Sequence, residues 1–190
     1  MKTLLLVRHA KSLWPEGIGK APADRARALE TLNDHARPLA PRGREAAARL
    51  AQAVLPEMPQ PEIVLCSSAL RARQTLAVLR QSVWRRAAVK TQSQLYLCGR
   101  DALLERLAQL PRGCAVAAVV AHNPDLNELA LALAMKGPRA LRAKLGEKFP
   151  TGALALLDLP IESWSDIAGA KGRLRALVFP KDLAAKEPPD

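Results

Sequence analysis

Two of the three histidines in this 190-residue chain directly follow runs of apolar residues: LLLV leads into Arg8-His9, and AVAAVVA leads into His122-Asn123. A third apolar run, EIVLC, leads into Ser67-Ser68 and then Arg71. A neutral imidazole carries a ring nitrogen that can attack phosphorus, and a guanidinium presents a planar fork of donors that matches phosphoryl oxygens. Two arginines with two imidazoles make a pocket for a dianion. One histidine takes the phosphoryl group, and the other groups stabilise charge on its equatorial oxygens. His9, His122, Arg8 and Arg71 are the candidates for that chemistry. Taken singly, either histidine reads better as a core imidazole satisfied by backbone; it is the company of the two arginines that points to chemistry.

Such a pocket exists only if the ends of these segments converge. Residues 3–8, 62–66, 115–121, 153–159 and 174–179 are near-continuous apolar runs, the pattern of strands buried on both faces; a weaker strand is expected at 88–91. Between them lie helical segments. One covers 42–55, with Ala46, Leu50 and Leu55 among its apolar positions; one runs from about Ala69 to Ser82, with Ser67 and Ser68 as caps. A third covers 102–110 with Asp101 as cap, and a fourth follows Asn123-Pro124. Strands alternating with helices predict an α/β, three-layer sandwich: a mostly parallel central sheet flanked by helices on both faces. Ligands of such sheets gather outside the carboxyl ends of the strands, where the histidines and arginines stand. The reading is of one domain over 1–180. A Pro-, Gly- and charge-rich insertion at 13–36, with a helical patch around Ala23 to Leu32, interrupts it near the site, and a flexible tail covers 181–190.

The net charge of +11 suits nucleic acid, an anionic membrane or a phosphate-rich substrate. Aromatic residues make up 3% of the chain, too few to stack many bases, so nucleic acid is not the expected partner. No run approaches the ~18 apolar residues of a membrane span, and the apolar stretch at the N-terminus is shorter than the ~7–15 of a signal-peptide core. No membrane partner is expected. Cys66, Cys98 and Cys114 are odd in number and widely spaced, which fits free thiols in a reducing cytoplasm. Residues 72, 104 and 120, where a cysteine phosphatase would need arginine, are Ala72, Leu104 and Val120. The GIGKA stretch at 17–21 lacks the first glycine and the hydroxyl residue of a P-loop. No acidic ligand pattern accompanies His9 or His122, so neither metal nor cofactor is expected.

Five ordered blocks, VRHAKS (7–12), DHARPLAPRG (34–43), SSALRARQT (67–75), AHNPDLNELA (121–130) and FPTGALALLDL (149–159), resemble the histidine phosphatase superfamily. The phosphoglycerate-mutase-like fold goes with that resemblance, which is nearest to the SixA-type phosphohistidine phosphatases. It implies His9 as the phosphorylated nucleophile, Arg8 and Arg71 as the phosphoryl clamp, and His122 opposite. Arg37, in the RPL block, and Asn123 are implied at the phosphate-binding rim. Many ester-cleaving members carry an acid after the RAxQT helix. Here TQSQLYLCGRD offers only Asp101, which reads better as a helix cap, and Asp125 is the alternative proton donor. An alkoxide leaving group needs a proton, whereas the imidazole of a phosphohistidine can leave already protonated. The expected activity is therefore metal-independent hydrolysis of phosphohistidine or a related phosphoramidate through a phosphohistidine enzyme. A small-molecule phosphomonoester phosphatase of the same superfamily and a non-catalytic polyanion binder are the alternatives.

Overall fold

The computed structural model describes residues 1–14, 18, 23–24 and 33–184. Apart from Ala23 and Asp24, the helical patch read from Ala23 to Leu32 lies outside the described residues, as does the end of the tail, 185–190.

Six strands form one sheet in the order β3-β2-β4-β1-β5-β6. They are β1 (Lys2–Arg8), β2 (Ile63–Ser67), β3 (Ala88–Gln92), β4 (Val116–Ala121), β5 (Leu154–Leu159) and β6 (Arg173–Val178). The pairs β1·β4, β2·β4 and β2·β3 are parallel, while β5 runs antiparallel to both β1 and β6. The sheet is thus mostly parallel, with β5 the single reversed strand among the described residues.

The helices are α1 (Pro41–Ala53), α2 (Leu70–Ser82), α3 (Arg100–Ala108), α4 (Asp125–Leu133), α5 (Arg139–Glu147) and α6 (Pro180–Ala184). Alternate residues of the central strands enter two different cores, as the twofold period of a strand requires. Leu4 and Leu6 of β1 join Leu65, Ala117 and Val119 against Leu103 and Leu107 of α3, Leu129 of α4 and Leu145 of α5. Leu5 and Val7 join Val64, Cys66, Ala118 and Val120 against Leu50 of α1, Leu79 of α2 and Leu183 of α6. This is the three-layer arrangement expected from the apolar runs. Leu4, Leu5, Leu6 and Val7 are all 0% exposed, and each such side chain contributes about 1.5–3 kcal/mol of gross burial. Among the described residues, no helix is long and apolar enough to cross a membrane.

Three expected features differ in detail. Asp101 does not cap α3: the N-cap is Gly99, whose φ of 83° suits a residue without Cβ, and Asp101 stands exposed in the first turn, paired with Arg100. Ser67 and Ser68 do not cap α2 either; its N-cap is Ala69, without a side-chain bond. The segment after Phe179 is not frayed throughout. It turns into α6, where Leu183 is buried and Asp182 pairs with Lys144 at 2.7 Å.

The loop after β1 is held by close packing. The Lys11 carbonyl accepts the Ala40 N–H at 2.8 Å, and a Cβ at Gly43, in the first turn of α1, would lie 2.1 Å from that same oxygen. Gly43→Ala is therefore expected to destabilise the fold by about 1–3 kcal/mol through overpacking against backbone. Gly146→Ala, on α5 with nothing within 4 Å, should stabilise by up to about 1 kcal/mol. Thermal denaturation of the two variants beside wild type reads both signs.

Candidate active site

The carboxyl ends of β2, β4 and β1 are adjacent because those strands are neighbours, with Arg8 opposite Ala121 and Cys66 opposite Val120. His9 stays within this framework. Its N–H donates to the Ala121 carbonyl at 3.0 Å, and its own carbonyl accepts the Gly152 N–H at 3.0 Å. Its ring is fixed too: Nδ1 donates to the Ala10 carbonyl at 2.8 Å. A carbonyl can only accept, so Nδ1 bears the proton and Nε2 keeps its lone pair in the neutral ring.

His122 lies beside it, with ring centroids 5.1 Å apart. Its Nε2 is hydrogen-bonded to the Ser67 hydroxyl at 2.8 Å, and its Nδ1 is buried without a partner. Arg71, 3% exposed, points its Nε–H at His9 Nε2 at 3.3 Å. Arg8 donates from Nη1 to the Phe149 carbonyl at 2.8 Å, and the same carbonyl accepts from Asn123 Nδ2 at 2.9 Å. The structure therefore brings His9, His122, Arg8 and Arg71 into one cluster, with Asn123 steadying the segment that holds Arg8.

The remaining predicted residues are turned to other partners. Arg37 donates from Nε to Asp34 at 2.6 Å and from Nη1 to Ser12 Oγ and the Leu13 carbonyl, with its guanidinium 4.0 Å from the Trp14 ring centre. Asp125 is buried, and its Oδ2 accepts the Cys98 N–H at 2.8 Å. Its hydrogen bond therefore runs to the loop before α3 and not to the four clustered side chains.

Sequence reasoning missed Asp34, Tyr96, Ser67 and His35. Asp34 Oδ2 accepts from Arg71 Nη2 at 2.8 Å and from the Tyr96 hydroxyl at 2.5 Å, while its backbone carbonyl accepts Arg71 Nη1 at 2.5 Å. His35 Nε2 pairs with the Ser68 hydroxyl at 2.8 Å. The Tyr96 ring meets both His35 and His122 edge-on at 5.0 and 5.2 Å. The two serines read as helix caps are thus each committed to a histidine. One legible hint was the D-x-x-R spacing in DHAR, which puts both residues on the same side of one turn.

The electrostatics follow from burial. Desolvation, then the charges of neighbouring cations, push His9 down to about 2, against the hydrogen bond to Ala10. Desolvation and Arg71 push His122 down to about 3, with Asp34 opposing. Burial and the charge of Arg71 lower Arg8 from its usual value. For Asp34, burial favours the neutral acid, but hydrogen bonds from Tyr96 and Arg37 and the charges of Arg71 and Arg37 outweigh it and hold the carboxyl at about 2. At neutral pH the cluster is two neutral imidazoles, two guanidiniums and one carboxylate. It can receive an oxyanion through the arginines and offer it a nucleophilic nitrogen. Among the described residues, no three His, Cys, Asp or Glu side chains group as a metal site would require.

The same shifts govern stability. The unfolded histidines bind protons near pH 6.5, while the folded ones resist until about pH 2–3. Unfolding therefore takes up protons below about pH 6.5, and stability falls as pH falls, by up to about 1.4 kcal/mol per pH unit for each histidine. Denaturation midpoints measured from pH 7.5 to 4.5 should drop, and a His122→Asn variant should show a shallower slope.

Known proteins share this fold and much of its sequence. The family described as "Histidine phosphatase superfamily (branch 1)" matches residues 4–95. An uncharacterised protein of Mycobacterium tuberculosis is 34% identical over 163 residues, covering 85% of this chain and 91% of that protein. The solved structure of SixA from Nakamurella multipartitia superposes with a TM-score of 0.73 at 30% identity, over 94% of this chain and 96% of that one. SixA from Agrobacterium tumefaciens gives 0.71 at 25% identity, over 94% and 98%. A chain with this sheet, these five blocks and this overlap belongs to the histidine phosphatase superfamily, among its SixA-like members.

Proposed function

We propose that this phosphatase works without a metal, through a phosphohistidine formed on His9, and that its substrate is a phosphohistidine or a related phosphoramidate. The observation that carries the reading is the state of His9. Its Nδ1–H is committed to the Ala10 carbonyl, and its Nε2 lone pair lies beside the Arg71 Nε–H. In the first step Nε2 bonds to phosphorus, and the bond to the leaving nitrogen breaks with its electron pair going to that nitrogen. In the second, water oxygen bonds to phosphorus, the P–Nε2 pair returns to His9, and both water protons depart on the phosphate. Arg8 and Arg71 balance the charge on the equatorial oxygens, and His122 Nδ1, buried without a partner, is the further polar atom turned to that role.

The choice of phosphoramidate rests on proton supply. Asp34 is the carboxylate joined to the cluster, and at about 2 it is ionised at neutral pH and holds no proton to give. Asp125 is committed to the Cys98 N–H. A leaving imidazole needs no such donor, while a leaving alkoxide does. A structural neighbour named as the protein histidine phosphatase SixA, bound to tungstate, shares the fold at a TM-score of 0.71 and 21% identity. The three unpaired cysteines suit a cytoplasmic setting.

His9→Ala is expected to remove both turnover of a phosphohistidine peptide and all acid-labile phosphate on the enzyme. Phosphoenzyme persisting in that variant would move the nucleophile elsewhere. Arg71→Ala should cost about 10²–10³ in kcat, as loss of a transition-state donor does. Arg73→Ala, on the exposed side of α2, should change it less than threefold by ordinary surface behaviour. A faster rate on phosphoserine than on phosphohistidine peptides would overturn the substrate class.

A further inference from the structure

A second positively charged feature adjoins the cluster. A cleft of about 350 Å³ lies between α1 and the start of α6, lined by seven residues. Four of these are cations, Lys11, Arg42, Arg49 and Lys181, the remaining polar one is Thr151, and none is acidic. Arg42, Ala46 and Arg49 recur at helical spacing, so they share one face of α1. Among the described residues, Arg42, Arg49 and Lys181 enter no ion pair. Arg49 Nε is buried with no hydrogen-bond partner. The acid next to Lys181, Asp182, is held by Lys144 and by the Phe179 N–H. Among the described residues, the charges of Arg42 and Arg49 are therefore not matched by an ion pair.

Its position ties it to His9. Lys11 follows His9 by two residues, so their Cα atoms lie within about 7 Å. Thr151 precedes Gly152, whose N–H donates to the His9 carbonyl at 3.0 Å. Its dimensions select the ligand. Arg42 and Arg49 are two helical turns apart, about 10 Å along α1, so the cations are set out as a row along the helix. An extended peptide presents same-side residues about every 6.6–6.8 Å, so two or three acidic side chains can follow the row. The lining holds no aromatic residue on which a base could stack.

We propose that this cleft is a docking subsite for an extended acidic segment of the protein that carries the phosphoryl group to His9. The inference rests on the phosphatase reading for its biological setting, but its test does not require turnover. The probe is a fluorescent, unphosphorylated peptide of alternating glutamate and serine, read by anisotropy at low salt. Wild type should bind it. Arg42→Gln/Arg49→Gln should weaken binding about tenfold and Lys181→Gln about threefold, with the difference fading as salt rises. Hydrolysis of an aryl phosphate should be unchanged in both variants, which also shows that they fold. Failure of wild type to bind, or equal binding by wild type and both variants, would overturn the subsite. So would tighter, arginine-dependent binding of a single-stranded oligonucleotide of equal charge, which would make the face a polynucleotide surface. Peptide binding that follows the arginines in a protein inert toward phosphorylated substrates would uphold the subsite and sink the phosphatase reading instead.

Discussion

Burial of like charges sets the terms for everything near His9. Two guanidiniums and two imidazoles stand at the ends of adjacent strands, and the imidazole centroids are only 5.1 Å apart. Two unit charges at that distance repel by about 3 kcal/mol at an effective dielectric constant of 20. Desolvation is the larger cause, because both rings are buried at the strand ends. The arginines cannot shed their protons, so the histidines do. Neutral imidazole is also the form with a lone pair to donate. The same crowding that makes the pocket attract a dianion thus makes His9 a nucleophile on the proposed reaction.

That arrangement needs a framework that does not yield to repulsion. The central strands supply it: β1 is paired on both edges, with β4 on one side and β5 on the other. Its side chains divide between two apolar cores, so neither face can open without exposing one of them. Thr75 ties α2 to the same loop, accepting the Ala10 N–H at 3.0 Å and donating to the Arg71 carbonyl at 2.7 Å. Ala10, next to His9, and Arg71 are thus linked through one hydroxyl.

The parts legible in the sequence were those encoded locally. His9, His122, Arg8 and Arg71 each lie within a few residues of the end of an apolar run, so burial and strand position can be read from their neighbours. The reversal of β5 was not legible, because an apolar run such as ALALL reports two-sided burial but not direction. Asp34 and Tyr96 were hidden for another reason. Each sits in a short irregular segment without periodicity, and its role depends on a partner from another part of the chain: Asp34 pairs with Arg71, and the Tyr96 hydroxyl reaches back to Asp34. The two serines misled because a hydroxyl before a helix is a good cap in isolation, yet here one bonds the buried His122 and the other the half-buried His35.

Asp34 raises the question whether a carboxylate on Arg71 obstructs an incoming phosphoryl group. Counting donors argues that it does not. A guanidinium carries five N–H groups. Arg71 uses its Nε–H toward His9, one Nη1–H toward the Asp34 carbonyl and one Nη2–H toward the Asp34 carboxylate. Two N–H groups remain, and the one on His9 Nε2 becomes available once that nitrogen bonds to phosphorus. Asp34 therefore fixes the plane of the guanidinium from one side and leaves donors for the other. It also offsets one positive charge, which limits how strongly the pocket would hold its phosphate product. Arg37 and Tyr96 in turn keep Asp34 ionised and in place. Arg71 is held in one orientation because Asp34 answers its charge while its Nε–H faces His9.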